Sequence, residues 1–246
     1  MGGRVSLQPM CRFRPAQEAR SAETEGGGAL DPAQHRTADH VCQFANHRGF
    51  QRLEAGPLRV IFDVGGAPPL AYSDRAHASA LAFELSSETE RLIVNVGASR
   101  ELAPDARMAA RATNGHSTLV LNDALSATFV EPRRGKGPPQ LIGPNLDDVR
   151  RSSDESGITV QGRHDGYRNA FGLLHRRYIF IDHMGTNLRG IEELIRPVKQ
   201  KGGPFKGKLT YVVRFHLHPS VRARLIEHQM ALLETRGAIS LSIQRL

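Results

Sequence analysis

The chain has 246 residues, of which 39% are hydrophobic and 24% charged, and its formal net charge at pH 7 is +8. It is long enough to bury a substantial core, and it contains no run near the roughly 18 apolar residues that a membrane-spanning helix needs. The first residues also lack the apolar block of about 7–15 residues that a secretory signal carries. The two cysteines, Cys11 and Cys42, are too few for a disulfide framework or a four-cysteine zinc site within the chain.

The excess of positive charge indicates a polyanionic partner, which could be an acidic polysaccharide, a nucleic acid or a membrane surface. Aromatic residues make up only 6% of the chain and tryptophan is absent, so there are few platforms on which bases could stack. The sequence also lacks zinc-finger spacing and a basic helix with heptads. We therefore predict no nucleic-acid partner and no membrane span.

Residues 1–45 show no sustained period of either 2 or 3.6, and they contain the glycine run at 26–28. This composition predicts a disordered or unrelated N-terminal segment. From Gly49 onward the residue pattern changes, because short apolar runs alternate with glycine and proline turns.

Short strands are predicted along the rest of the chain. Residues 81–85 and 91–96 form a predicted hairpin, and a polar stretch at 103–112 has helical character. Residues 131–156 are predicted to be a loop or two short turns. The remaining predicted strands lie at 116–121, 127–130, 157–161, 177–181, 188–194, 208–217, 221–225, 230–233 and 238–243. About ten short strands without a long amphipathic helix predict an all-β domain, an antiparallel β-sandwich, over residues 46–246.

Three segments of this β region carry a resemblance. They are YSDRAHASALAFEL at residues 72–85, LIVNVG at 92–97 and GHSTL at 115–119. In this order they resemble the C-terminal β domain of the heparinase II/III family of polysaccharide lyases. Further similarity comes from GFQRLEAG at 49–56, RHDGY at 163–167, FGLLHRR at 171–177 and RFHLHP at 214–219.

The resemblance implies a zinc site. In the family, the second histidine of a His-x-His-x-Asp-Ala motif, the aspartate that ends the next strand and the histidine that opens a later strand bind zinc. In this chain those positions hold His77, Asn95 and His116. Zinc favours imidazole nitrogen and anionic ligands, and the neutral amide of Asn95 is a poorer ligand. The alternative is that His77 and His116 hydrogen-bond across neighbouring strands, with Asn95 closing the network as both donor and acceptor.

The resemblance also implies β-elimination of uronic-acid-containing polysaccharides. That reaction needs a group that neutralises the uronate carboxylate, a base and an acid, which in the family come largely from an N-terminal α/α toroid. Here the position of the motif's first histidine holds Arg75, and that of its aspartate holds Ser79. Arg75 could neutralise a carboxylate and Tyr72 could take the proton; the alternative is a solvated arginine and a loop tyrosine.

We therefore interpret the chain as the C-terminal β domain of a heparinase II/III-like lyase without its catalytic toroid, inactive as an isolated chain. The predicted partners are an acidic polysaccharide and an α/α-toroid lyase domain. The rival hypothesis is a non-catalytic β module that binds acidic glycans. Four arginines are predicted to form a solvated basic face, namely Arg176, Arg177, Arg189 and Arg214. The family resemblance implies a location in the periplasm or cell envelope.

Overall fold

The computed structural model describes residues 4–15, 49–97, 101–132, 135, 137–197, 205–227, 230–235 and 240–245. Within these ranges the chain forms seventeen strands and two short α-helices. The strands are β1 (Arg4–Pro15), β2 (Phe50–Ala55), β3 (Leu58–Asp63), β4 (Phe83–Ser87), β5 (Glu90–Val94), β6 (Leu119–Leu121), β7 (Thr128–Val130), β8 (Gln140–Ile142), β9 (Leu146–Asp154), β10 (Gly157–His164), β11 (Leu174–Asp182), β12 (Leu188–Ile195), β13 (Tyr211–Val213), β14 (His216–Leu217), β15 (Arg222–Glu227), β16 (Met230–Glu234) and β17 (Ser240–Arg245). The helices are α1 (Pro104–Arg111) and α2 (Arg168–Phe171). Neither helix has the length and apolar character to cross a bilayer, and the described ranges contain no other that does.

Two antiparallel sheets face each other across the main core. The larger has eight strands in the order β15-β16-β17-β1-β12-β11-β10-β9, and the smaller has five in the order β14-β5-β4-β3-β2. Alternate residues of β3 are buried because successive side chains of a strand point to opposite faces. Both sheets contribute side chains to one cluster that includes Leu53, Val60, Phe62, Leu85, Ile93, Val160, Ile179, Ile181 and Leu188. The predicted all-β antiparallel fold is confirmed.

The predicted hairpin at residues 81–96 and the predicted helical stretch at 103–112 are also confirmed. Strands β4 and β5 pair as an antiparallel hairpin, with Ser87 opposite Glu90. The polar stretch that follows contains α1, which begins at Pro104, where the fixed φ of proline suits the first helical turn. Strand β6 begins at Leu119, later than predicted, so His116 lies in the approach to the strand.

Strands β8 and β9 correct the prediction of a loop at residues 131–156. Strand β9 pairs with β10 at the edge of the larger sheet, from Asp154 opposite Gly157 to Leu146 opposite His164. None of its residues is fully buried, and Val149 is exposed. An edge strand with polar residues on both faces has no alternating apolar pattern, so residues 146–154 show no period-2 signal.

Residues 4–15 contain a strand that their sequence did not indicate, and a disordered or unrelated N-terminal segment stays a prediction for the rest of residues 1–45. Residues 4–15 form β1, whose backbone pairs with both β12 and β17 within the larger sheet. A strand with a partner on each side is stabilised by two hydrogen-bond ladders, so its own sequence can be a weak strand former. Residues 16–48, the rest of the segment predicted to be disordered or unrelated, lie outside the described ranges.

The inner face of β11 is apolar at one end and polar at the other. Ile179 and Ile181 enter the main core, whereas His175 and Arg177 continue the same face and are also buried. Arg177 is only 1% exposed, so its assignment to a solvated basic face is wrong. Its Nε lies 2.5 Å from Oε1 of Glu192, directly across on β12. Its Nη1 donates to the carbonyl oxygens of Leu81 (2.6 Å) and Ser117 (2.7 Å).

Two histidines extend this network. The N–H of Gly166 donates to Nδ1 of His164 (3.0 Å), so the ring proton of His164 is on Nε2. That Nε2 lies 3.0 Å from Nδ1 of His175, whose own Nε2 lies 2.6 Å from Oε2 of Glu192. The proton of His175 is therefore also on Nε2, and both rings are neutral donors in one direction.

The protonation states agree with this direction. Burial lowers the pKa of both His164 and His175, which keeps their rings neutral. Burial alone would raise the pKa of Glu192, but the charge of Arg177 and the hydrogen bond from His175 bring it down to about 2. One anion and one cation therefore face each other in the interior, and the remaining polar atoms orient them.

Breaking this pair should cost much more than breaking an exposed one. Glu192→Gln keeps the shape of the side chain but leaves Arg177 as an uncompensated buried charge, and we expect it to lower the free energy of unfolding by about 3–5 kcal/mol. The matched control is Asp147→Asn, which removes one carboxylate from an exposed pair with Arg163 and should cost less than about 1 kcal/mol. Urea denaturation measures the free energy of unfolding of both variants. Equal losses would contradict the assignment of Arg177 and Glu192 as a buried ion pair.

Candidate functional site

The loop at residues 73–79 carries His77 and is clamped by the last residue of α1. Arg111 is buried, and it donates from Nε to the carbonyl oxygen of Ala76 (2.9 Å) and from Nη2 to that of Ser73 (3.2 Å). The N–H of Ala78 in turn donates to the carbonyl oxygen of Arg111 (2.8 Å). Three hydrogen bonds to one residue hold both sides of His77 in place.

A second segment, at residues 115–117, brings His116 to the same place. Gly115 is required there because a Cβ atom would lie 2.8 Å from the carbonyl oxygen of Ala110. Ser117 is held on every polar atom: its N–H donates to Oδ1 of Asn95 (2.8 Å) and its Oγ to the carbonyl oxygen of Val94 (2.8 Å). Its own carbonyl oxygen accepts from Arg177. The backbone on both sides of His116 is therefore fixed.

His77 and His116 form a hydrogen-bonded pair. Nδ1 of His77 lies 3.2 Å from Nε2 of His116, and the rings are stacked with centroids 5.2 Å apart. Burial, with smaller contributions from His77 and His216, lowers the pKa of His116 to about 3. Burial and the charge of Arg111 lower the pKa of His77. Both rings are neutral at pH 7.

Asn95 lies beside this pair with both ends of its amide engaged. Its Oδ1 accepts from the N–H of Ser117, and its Nδ2 donates to Oε1 of Glu84 (3.1 Å). Asn95 is thus both donor and acceptor, as expected if the two histidines form a hydrogen-bonded network and not a zinc site. An aspartate would offer a charge to a metal, whereas this amide oxygen is already used by the backbone.

The donor set therefore fits a hydrogen-bonded pair better than it fits zinc. Zinc sites take anionic ligands beside neutral imidazoles, and the described residues contain no group of three or more His, Cys, Asp or Glu that could hold a metal ion. Zinc binding at His77, Asn95 and His116 stays a prediction for metal analysis.

A cavity of about 850 Å³ opens beside the histidine pair. Three arginines, Arg75, Arg107 and Arg111, contribute to its wall, together with the carboxylate of Asp74 and the ring of His77. The rest of the lining that the structure describes is largely apolar, and it consists of Pro104, Met108, Gly137, Pro138 and Pro139. Among the described lining residues, with His77 neutral, the three cations exceed the single anion, so this part of the cavity attracts negative charge.

The structure brings together some of the predicted site residues and not others. Arg75 and His77 line the same cavity, and His116 lies behind His77. Tyr72 ends a 3-10 turn at Leu70–Tyr72, is 77% exposed, and is not among the described lining residues. The assignment of Arg75 and Tyr72 as a catalytic pair stays a prediction.

The sequence interpretation missed Arg107 and Arg111 as site residues. Both belong to α1, and their spacing of four places them on one side of the helix. That spacing was visible in the sequence, but nothing there indicated that this side faces the loop of His77. The role of Arg177 had a clearer signal, because its period-2 spacing from Ile179 and Ile181 places it on the buried face.

Asp63 contacts the end of the loop that carries His77. Its Oδ2 accepts from the hydroxyl of Ser79 (2.6 Å) and its Oδ1 from the N–H of Gly65 (3.0 Å). Burial raises the pKa of Asp63 to about 6, although both hydrogen bonds act to lower it. Its contribution to stability is therefore fully present below the unfolded pKa near 3.8 and is lost as the pH rises through about 6.

This shift predicts that Asp63→Asn stabilises the chain at neutral and higher pH. Asparagine is always uncharged and can still accept from Gly65, so we expect a gain of about 1–2 kcal/mol at pH 8 that shrinks toward zero near pH 4. Ser79→Ala is the opposite test, since it removes a donor to the charged form and should destabilise more at pH 8 than at pH 4. A pH-independent effect of Asp63→Asn on unfolding would contradict the raised pKa.

Comparison with known proteins gives three findings. Residues 39–245 match the family described as "Heparinase II/III-like, C-terminal". FtsZ-localized protein C of Caulobacter vibrioides is 31% identical over 232 residues, which cover 89% of this chain and 39% of that protein. The crystal structure of a heparan sulfate lyase HepC mutant from Pedobacter heparinus has a TM-score of 0.54 at 12% identity, over 80% of this chain and 32% of the lyase. The chain thus spans about two fifths or less of these relatives, and the likeness to the lyase concerns the fold alone.

Proposed function

Because the chain belongs to the heparinase II/III-like C-terminal domain family, we propose that it binds an acidic polysaccharide in the cavity beside His77. The observation that supports this proposal is the charge of the cavity, where Arg75, Arg107 and Arg111 face one carboxylate, Asp74. Guanidinium groups bind carboxylate and sulfate through paired hydrogen bonds. The acidic groups of a uronic-acid polymer match that chemistry.

The two kinds of lining suit a sugar ring. Arg75 is exposed and Arg107 is half-buried, so both can turn their donors toward a ligand. Arg111 donates to two backbone carbonyls and contributes a fixed charge. The proline and methionine side chains offer an apolar wall for the C–H face of a sugar, as is usual in ligand cavities.

We assign binding, and not elimination, to this chain's own residues. Arginine stays protonated and cannot take the proton α to a uronate carboxylate. Tyr72 projects into solvent and not into the described cavity wall. In this proposal the base and acid for β-elimination belong to a partner α/α-toroid domain, and the β domain holds the polymer beside it, in the periplasm or cell envelope.

Arginine variants test the cavity directly. Arg75→Ala and Arg107→Ala should each weaken binding of a heparan sulfate oligosaccharide by about three- to tenfold, because each removes one charge-assisted contact. Arg91→Ala removes an exposed positive charge from β5, away from the described cavity wall, and should change the dissociation constant less than about twofold. Isothermal titration calorimetry at fixed ionic strength measures all three.

Equal weakening by all three variants would show that binding follows net charge and not the cavity. Ultraviolet absorbance of unsaturated uronate provides the second arm of the experiment. We expect no increase from the isolated chain, and a steady increase would overturn the division between binding and catalysis.

A second candidate function is co-localisation with FtsZ, supported by the 31% identity to FtsZ-localized protein C across 89% of the chain. A fluorescent fusion of the full-length protein should then occupy the same positions as labelled FtsZ in its native cells. A distribution that stays unchanged when FtsZ is depleted would contradict this candidate.

A further inference from the structure

The ring of His116 has one nitrogen with a partner and one without. The residue is 1% exposed, and its Nε2 lies 3.2 Å from Nδ1 of His77. Its Nδ1 is buried and makes no hydrogen bond to the described residues. Turning the ring to bring that nitrogen toward a new partner would break the contact between Nε2 and His77.

This asymmetry selects one tautomer. A neutral imidazole has one N–H donor and one bare nitrogen acceptor, and a hydrogen bond between two imidazoles needs one proton between them. If His77 donated from Nδ1, the proton of His116 would be on Nδ1, as a buried donor without an acceptor. If His116 donates from Nε2, its Nδ1 is only an unused acceptor, which is the less costly defect.

Donation from Nε2 of His116 also fixes the tautomer of His77. Its Nδ1 must then accept, so its own proton is on Nε2. Nε2 of His77 makes no hydrogen bond within the described residues and is not buried, and His77 lines the cavity. The pair thus repeats the direction of His164 and His175, where the N–H of Gly166 sets the first tautomer.

We propose that His116 is a positioning residue that fixes His77 as its Nε2–H tautomer, so that the cavity offers a neutral donor together with Arg75 and Arg107 to a carboxylate or sulfate oxygen. The ligand in this proposal rests on the proposed function, whereas the tautomer does not. With its proton on Nε2, His77 cannot serve as the base for β-elimination. The proton between the two rings also occupies the lone pairs that a shared zinc ion would need.

Long-range ¹H–¹⁵N correlation NMR of the whole chain measures the tautomers. At neutral pH we expect both His77 and His116 to show the shift pattern of Nε2–H, with a protonated Nε2 and a bare Nδ1. Either ring in the Nδ1–H form would overturn the proposal. One equivalent of zinc should leave these shifts unchanged, and movement of both rings with stoichiometric uptake by metal analysis would also overturn it.

Variants of His116 test the consequence for binding. His116→Leu removes the donor to His77, and we expect the affinity for a heparan sulfate oligosaccharide to fall by about three- to tenfold. His116→Gln supplies an amide N–H to the same acceptor and should restore most of the affinity. Equal affinity of the wild-type chain and His116→Leu would show that the tautomer does not govern binding.

The two proposals fail in different ways. If the oligosaccharide does not bind to the wild-type chain but both rings are Nε2–H, the proposed function fails and the tautomer stands. If the oligosaccharide binds and the rings are Nδ1–H, the proposed function stands and this inference fails. Should His116→Leu not fold, the wild-type tautomers alone decide the inference.

Discussion

The buried ion pair between Arg177 and Glu192 connects the parts of the molecule that form the site. A guanidinium in the interior is tolerated only when its charge and its donors are satisfied. Arg177 meets a carboxylate across the β11–β12 rung and two carbonyl oxygens from segments of the opposite layer, those of Leu81 and Ser117. His175 and His164 orient the carboxylate from its other side. The pair therefore sets the distance between the larger sheet and the two segments that carry the cavity histidines.

The hydrogen bonds of Ser117 connect the buried ion pair to the candidate site. Asn95 accepts a hydrogen bond from the N–H of Ser117 and Arg177 donates one to its carbonyl oxygen, so the backbone next to His116 is fixed. Arg111 likewise fixes the backbone of the loop that carries His77, by donating to two of its carbonyl oxygens. Two neutral rings meet at hydrogen-bond distance where the family resemblance implies a metal ion. The amide of Asn95 in place of a carboxylate favours this hydrogen-bonded pair, since it satisfies the backbone and adds no negative charge. What remains exposed is an arginine-lined cavity with one histidine in its wall.

Much of the fold could be predicted from alternation and turns, as the β4–β5 hairpin shows. Strand β9 could not, because an edge strand with two polar faces has no apolar period, and β1 depends on backbone partners far along the chain. The histidine pair followed from the motif order. The period-2 spacing of Arg177 from Ile179 and Ile181 places it on the buried face. Its partners could not be predicted, since its carbonyl acceptors lie 96 and 60 residues away. Nor could the sequence show that α1 turns Arg107 and Arg111 toward His77.

In the proposed function, the cavity arginines and the outward N–H of His77 bind an anionic sugar group. A crystal structure of the chain with a bound heparan sulfate hexasaccharide tests it most directly. We predict a carboxylate or sulfate within hydrogen-bond distance of Arg75 or Arg107 and of Nε2 of His77. A saccharide seated on the outer face of the eight-stranded sheet, with water alone in the cavity, would contradict it.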